Sequence, residues 1–414
     1  GFAWDRFLHT LGLAGQTELI LRETTYLAAF DAVLAKHSLE AWKAYCTWVL
    51  VTGTASGLST EIDAEYFALF GTLLEGTPTQ PPRWQRAVDR VNSVLGEAVG
   101  KLYVARHFRP EAKARMSVLV EALRDAFEVT LTDLDWMSPE TRTKALDKLR
   151  KFRPKIGYPD QWKDYSALDI RAGDLVGNMH RASLWSWQRR VDRLGGPVDR
   201  EEWFMTPQRV NAYYNSAMNE IVFPAAILQP PFFDLEADDA VNFGAIGAVI
   251  GHEMGHGFDD QGSRSDGDGV LRNWWTDADR AAFEARTARL VQQFAAFEVL
   301  GEHVNGKLTL GENIGDLGGL TIAWRAWQKS LGGSESPVLD GFTGAQRFFI
   351  GWAQVWARKY RDAELRRRLN VDSHSPSEFR TNGPVANIPG FAEAFGLKPG
   401  DKLYVQPADR VSIW

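Results

Sequence analysis

The chain has 414 residues, of which 44% are hydrophobic and 12% aromatic, so it is long enough to bury a large core and to form two or three domains. Its formal net charge of -6 at pH 7 argues against a nucleic-acid-binding protein, which would concentrate Lys and Arg on one face. It contains no run of 18 apolar residues, so no transmembrane helix is predicted. The opening segment GFAWDRFLHTLGL lacks the basic start and apolar stretch of a signal peptide. We therefore expect a soluble protein, cytoplasmic or secreted, whose oligomeric state the sequence leaves open.

Residues 1 to about 170 are helical in pattern. Apolar residues recur three and four positions apart in segments 110–134 and 138–152, and charges occupy the other positions. The single cysteine, Cys46, lies among large apolar residues, so we expect a buried thiol and no intrachain disulfide. This part of the chain is predicted to be one helical lobe.

The pattern changes near residue 205. In QRVNAYYNSAMNEIVFPAAIL, β-branched and aromatic residues flank an Asn-Ser turn, which predicts two short strands. Further on, Thr276 and Asp279 are spaced as an N-cap and its third helical residue, which predicts the start of another helix.

The segment VIGHEMGHGFDD, residues 249–260, carries the first chemical motif. His252 and His256 are four positions apart, so on a helix both imidazoles lie on one face and can bind one metal ion. Glu253 then lies beside the ion, where a base for a zinc-bound water is needed. The preceding residues are small or apolar, which predicts a buried helix, and a buried His pair with a Glu between them is costly without an ion.

A third protein ligand is expected because catalytic zinc commonly takes three and leaves one position for water. The segment LTLGENIGDLGGLTIAWRAW, residues 308–327, places Glu312 and Asp316 one helical turn apart in an otherwise apolar stretch. We interpret Glu312 as the ligand and Asp316 as an acceptor for the far ring nitrogen of a liganding histidine. The alternative is a capping Glu and an exposed Asp without metal.

These motifs, with others downstream, resemble the neprilysin family of zinc metallopeptidases, also called M13. The likeness extends over the whole chain, and the family is longer at its amino end. It is carried by NAYY (211–214), GHEMGHGFDD (251–260), GENIGDLGG (311–319), GWAQVWARKYR (351–361), DSHSPSEFRTNG (372–383) and the terminal Trp414.

The resemblance implies a zinc site and a set of catalytic groups. His252, His256 and Glu312 would bind one Zn2+ ion, and Glu253 would activate the water. The groups expected to orient the ligands or to assist the reaction are Asp316, Asp259, Asp372 and the transition-state stabiliser His374.

The resemblance also implies how a peptide is held. Arg380 would anchor a substrate carbonyl, and Asn211 and Ala212 would bind the peptide backbone from an edge strand. The side chain after the cleaved bond would enter an apolar pocket formed by Ile227, Phe232, Val249, Val355 and Trp356.

We therefore expect a mainly α, two-lobed protein. A helical cap, residues 1–170, would lack part of the family's amino-terminal region and would precede a thermolysin-like α+β zinc-peptidase lobe, residues 171–414. The expected function is zinc-dependent endopeptidase action on peptides, on the amino side of hydrophobic residues. Two alternatives stay open: a zinc aminopeptidase, and a non-catalytic peptide-binding protein with a structural metal.

Overall fold

The computed structural model describes residues 2–21 and 23–414. Helices hold 57% of the chain and strands 5%, which confirms the mainly α prediction. The α-helices, in chain order, are α1 (Trp4–Thr10), α2 (Thr24–Lys36), α3 (Leu39–Thr54), α4 (Thr60–Phe67), α5 (Arg83–Val94), α6 (Gly96–His107), α7 (Pro110–Asp133), α8 (Pro139–Arg150), α9 (Leu175–Val191), α10 (Asp239–Asn242), α11 (Ala248–Gly255), α12 (Asp277–Ala295), α13 (Leu310–Ser330), α14 (Gly344–Val355), α15 (Asp362–Val371), α16 (Ser377–Val385) and α17 (Pro389–Phe395).

The two predicted strands are present as a hairpin in a small sheet. The strands are β1 (Arg153–Gly157), β2 (Tyr213–Asn215), β3 (Glu220–Pro224), β4 (Glu298–Val299) and β5 (Glu302–His303). The larger sheet has the order β1-β3-β2, with β1 parallel and β2 antiparallel to β3. β2 is therefore an edge strand, and β4 pairs with β5 in a separate ribbon.

The chain divides into two compact units: residues 1–95 with 163–199, and residues 96–162 with 200–414. This division does not coincide with the predicted boundary near residue 170, because α7 packs into the core of the second unit. Phe127 of α7 is fully buried there, against Phe258 and Trp414. The assignment of a cap lobe and a catalytic lobe stays a prediction.

In the first unit, α3 buries none of its residues. Cys46 lies on this helix and is exposed, so the prediction of a buried thiol was wrong. Apolar neighbours in sequence do not enclose a side chain when the helix itself is not covered. Among the described residues, no helix combines the length and apolarity needed to cross a bilayer.

The carboxylate of Asp279 joins the starts of α8 and α12. Ser138 and Thr276 are the N-caps of these helices, which confirms the start predicted at Thr276. Asp279 accepts hydrogen bonds from the hydroxyls of Ser138 (2.5 Å), Thr141 (2.5 Å) and Thr276 (2.6 Å). Burial alone raises the pKa of Asp279, but these bonds lower it to about 2. The carboxylate is thus charged in the folded protein near neutral pH.

Glycines let α11 and α13 approach closely. A Cβ on Gly251 would lie 2.7 Å from Gly319 Cα, and a Cβ on Gly319 would lie 2.4 Å from the backbone nitrogen of His252. A Cβ on Gly315 would lie 2.7 Å from His252 Nδ1. Side chains at these positions would push the helices apart, so the glycines bring the two chemical motifs into contact.

Candidate active site

His252 and His256 lie on one face at the end of α11, which is buried as the sequence predicted. α11 continues from α10 through a π-helical turn, Phe243–Gly247. His256 follows the last residue of α11 in helical conformation and donates its backbone N–H to His252 O at 3.0 Å. The two rings are therefore one turn apart, with centroids separated by 4.5 Å.

Glu312, in the first turn of α13, faces both histidines. Its carboxylate oxygens lie 3.3 Å from His252 Nε2 and 3.8 Å from His256 Nε2. Two ligands of a tetrahedral zinc, each about 2.0–2.2 Å from the ion, are roughly 3.3–3.6 Å apart. Within residues 2–21 and 23–414, these three residues are the only group of His, Cys, Asp or Glu in metal-ligand proximity.

The far nitrogens of both rings are held by carboxylates. His252 Nδ1 lies 2.9 Å from Asp316 Oδ1, and His256 Nδ1 lies 2.7 Å from Asp259 Oδ2. A carboxylate accepts hydrogen bonds, so each Nδ1 is the donor, and each Nε2 is the ring atom left to face Glu312. A metal ion bound at Nε2 would take the place of a proton there.

The charges around the histidines fit a cation. Burial alone lowers the pKa of His252, but Asp316 and Glu312 raise it to about 10. Glu253 has an oxygen, Oε2, that is buried and accepts no hydrogen bond within the described part of the chain. Such oxygens are costly to bury without a partner. The residues present therefore fit a bound zinc ion, with His252, His256 and Glu312 as ligands.

Glu253 points into the same cavity. Its side chain is 6% exposed, and burial raises the pKa of its carboxyl. It follows His252 by one residue, so it lies to the side of the imidazole pair. This is a suitable place for a proton acceptor.

The loop and helix after α15 bring two donors to the site. His374 Nε2 lies 3.2 Å from Glu312 Oε2, and His374 Nδ1 lies 2.8 Å from Asp372 Oδ1. Arg368, one turn before Asp372 on α15, binds the other carboxylate oxygen at 2.6 Å. Arg380 of α16 is buried, and its guanidinium lies 4.0 Å from the centre of the Trp356 ring.

A cavity of about 640 Å³ contains these groups and most of the predicted substrate-binding residues. Asn211 and Ala212 line it immediately before β2, at the free edge of the sheet. Ile227, Phe232, Val249 and Trp356 form its apolar part. Val355 does not line the cavity. It is 9% exposed and belongs to the core.

Several lining residues were not predicted. Trp352 lies one helical turn before Trp356 and lines the cavity in place of Val355, so the spacing of four was a usable signal. Arg368, also not predicted, lies four positions before the predicted Asp372. No sequence pattern pointed to Ser375, which lines the cavity and whose Oγ donates to the buried Asn313 Oδ1 at 2.8 Å, linking the His374 loop to α13.

Two family models match most of the chain. The model described as peptidase family M13 matches residues 211–411, and the amino-terminal model of the same family matches residues 1–159. The chain belongs to peptidase family M13.

M13 relatives are similar over nearly all of the chain. Endothelin-converting enzyme 1 of Mus musculus is 37% identical over 427 residues, covering 99% of this chain and 55% of the relative. Neprilysin of Homo sapiens is 34% identical over 433 residues, covering 100% and 57%. The chain thus spans about half the length of these curated M13 relatives.

Solved M13 structures share the fold. The zinc metalloprotease ZMP1 of Mycobacterium tuberculosis, in complex with an inhibitor, is 52% identical with a TM-score of 0.97, covering 100% of this chain and 64% of that one. PepO of Lactobacillus rhamnosis is 34% identical with a TM-score of 0.82, covering 88% and 56%.

Proposed function

We propose that this chain carries the catalytic centre of a zinc-dependent endopeptidase that cleaves peptides on the amino side of hydrophobic residues. The observation that carries the proposal is the convergence of Glu312 on the Nε2 atoms of His252 and His256, with Glu253 beside them in one cavity. The M13 relatives, named as metalloproteases and peptidases, support the same chemistry.

Zinc, when bound, would supply Lewis acidity that lowers the pKa of water and polarises a carbonyl group. Glu253 accepts the proton of the attacking water at its carboxylate and passes it to the leaving amine. Its buried position keeps bulk water from competing for that proton.

Two donors then face the oxygen of the attacked carbonyl. His374 points its Nε2 toward the ligand Glu312, and Asp372 holds the ring through Nδ1, so His374 is oriented before substrate binds. Arg380 is fixed by Asp316 and Trp356 and contributes a positive charge for a substrate carbonyl. Both groups stabilise negative charge that develops during attack.

The edge strand and the apolar part of the cavity account for substrate binding. A peptide that runs along β2 pairs its backbone with the strand near Asn211 and Ala212. The side chain after the cleaved bond then enters the region between Ile227, Phe232 and Val249, which favours hydrophobic residues.

The first experiment compares wild type with Glu253→Gln on an internally quenched peptide, with zinc content measured on the same samples. We expect kcat to fall by about 10²- to 10⁴-fold while zinc stays bound. Glu335→Gln, on an exposed loop, is the control and should keep wild-type turnover. Retained turnover in Glu253→Gln refutes the assigned base.

A second experiment maps cleavage sites in a mixed peptide library, with free and blocked amino termini. Endopeptidase action predicts equal cleavage of both forms, whereas an aminopeptidase cleaves only the free form. A zinc-loaded wild type that binds peptides without cleaving them indicates a non-catalytic binding protein instead. Val249→Phe, which fills the apolar region, should shift the preference after the cleaved bond toward smaller residues by about 10-fold or more.

A further inference from the structure

Lys148 of α8 is a fully buried lysine without a carboxylate ion pair among the described residues. Its ammonium donates hydrogen bonds to Gly262 O at 2.8 Å and to Ser265 O at 2.6 Å. The rings of Tyr214, Phe258 and Trp274 surround it, with centres 5.6–5.8 Å from Nζ. Burial lowers the pKa of Lys148 to about 7. A lysine buried at such cost must make contacts that the fold needs.

The segment that Lys148 holds leads directly to His256. Gly262 donates its N–H to Asp259 Oδ1 at 2.7 Å, and Gln261 N–H donates to the same oxygen at 2.8 Å. The other oxygen, Asp259 Oδ2, accepts from His256 Nδ1 at 2.7 Å. Gly262 is therefore held at both ends, by Asp259 at its N–H and by Lys148 at its carbonyl.

Gly262 also packs directly on the histidine. A Cβ on Gly262 would lie 1.7 Å from the carbonyl oxygen of His256, so the backbone of Gly262 cannot come closer to that of His256. A displacement of Gly262 would move both N–H groups that orient Asp259. The Asp259 carboxylate would then turn, and its hydrogen bond to His256 would lengthen.

The two histidines are thus supported in different ways. His252 is oriented by Asp316, which is fixed by the side chain of Arg380. Asp259 has no such side-chain cation in contact with it among the described residues. The loop that positions Asp259 is held from outside by Lys148.

We propose that Lys148 is a positioning residue for His256, acting through Gly262 and Asp259. The inference rests on the proposed role of His256 as a zinc ligand. Lys148 touches neither substrate nor metal, so its effect appears in how well the folded protein holds zinc and in kcat rather than in KM.

The test compares Lys148→Met with Lys144→Met. Lys144 lies one turn earlier on α8, where it makes an exposed pair with Glu140. Zinc affinity is measured by competition with a fluorescent chelator, together with kcat, KM and thermal unfolding of the zinc-free protein. We expect Lys148→Met to bind zinc about 5- to 10-fold more weakly, with KM changed less than 2-fold. This effect is smaller than the roughly 10- to 100-fold loss for residues that contact a ligand directly, because Lys148 acts through Gly262 and Asp259. Lys144→Met should match wild type.

A double-mutant cycle distinguishes positioning from general stabilisation. If Lys148 acts through Asp259, Lys148→Met should weaken zinc binding little further in an Asp259→Asn background, but by its full factor in an Asp316→Asn background. Wild-type zinc affinity in folded Lys148→Met, or equal factors in both backgrounds, overturns the proposal.

Lys148→Gln keeps one donor and provides a second variant if Lys148→Met does not fold. Its zinc affinity should lie between those of wild type and Asp259→Asn, and wild-type affinity overturns the proposal. If neither variant folds, the role of Lys148 is general stabilisation, which also overturns it. Failure of wild type itself to bind zinc contradicts the proposed function instead.

Discussion

Asp316 and Arg380 form a bidentate ion pair inside the protein, with 2.7 Å between Nε and Oδ2 and 2.7 Å between Nη2 and Oδ1. The Asp316 carboxylate is completely buried, and Oδ1 also accepts the hydrogen bond from His252. One side chain therefore connects a proposed metal ligand to a proposed substrate-binding cation.

Asp316→Asn should weaken both zinc binding and the fold. The loss of the carboxylate removes the group that orients His252, which costs about 10- to 100-fold in metal affinity. It also leaves Arg380 buried without its partner, which destabilises by about 3–5 kcal/mol. Chelator competition and thermal unfolding measure the two effects. Glu140→Gln, which breaks only the exposed pair with Lys144, should change neither, and wild-type zinc affinity in Asp316→Asn would contradict the assignment.

His374→Ala should lower kcat without releasing zinc. His374 supplies a donor to the charge that develops on the substrate, and loss of such a donor costs about 10²- to 10³-fold in kcat. Steady-state kinetics and zinc content on the same preparation check the prediction. His303→Ala, on the exposed β4–β5 ribbon, is the control. Loss of zinc from His374→Ala would instead place His374 among the ligands.

Gly319→Ala should separate α11 from α13. The new Cβ would lie 2.4 Å from His252 N and 2.6 Å from Ala248 O, so the backbones must move. We expect a destabilisation of about 1–3 kcal/mol and weaker zinc binding, because Glu312 moves away with α13. Gly255→Ala on α11 is the matched control, since its Cβ would lie at an ordinary 3.4 Å from Gly315 Cα. Equal melting temperatures for the two variants would show that α11 and α13 can move apart without loss of stability.

Asp279→Asn should remove a pH-dependent contribution to stability. The folded pKa of Asp279 is lowered to about 2, below an unfolded value of about 3.9, so the charged form stabilises the fold. This contribution is fully present above about pH 4 and is lost as pH falls toward 2. Thermal unfolding at pH 6 should show a loss of roughly 2 kcal/mol in the variant. Asp277→Asn, exposed two residues earlier on α12, is the control.

The difference in unfolding free energy between wild type and Asp279→Asn should then shrink between pH 4 and pH 2. In this window Asp279 of wild type becomes protonated, whereas the asparagine in the variant has no group that titrates. A difference that stays constant across this window would mean that the hydrogen bonds to Asp279 do not depend on its charge.

The local parts of the site were predictable from sequence, and the distances between them were not. His252, Glu253 and His256 follow from a spacing within one helix, and Glu312 stood out because a carboxylate in an apolar segment needs a partner. Their approach depends on Gly251 and Gly319, whose backbones meet across two helices. No pattern within either segment records that contact.

The burial of a residue by segments distant in the chain could also not be predicted from the sequence. The sequence pattern places Lys148 on the polar face of α8, yet the loop from Gly262 to Ser265 covers its side chain completely. Cys46 is the reverse case, with apolar neighbours in sequence but an uncovered helix. The edge strand after Asn211 was predictable in kind because alternation and turn residues are local signals.

The free edge of β2 limits which molecules the proposed endopeptidase would process. An edge strand offers main-chain N–H and C=O groups, and a guest can pair with them only if its own are unpaired. A segment already coiled in a helix or joined to a sheet has no such groups to give. Selection would therefore depend first on the conformational freedom of the incoming chain. Natively folded proteins would not be cleaved, whereas flexible tails, loops and short peptides would bind, whatever their side chains.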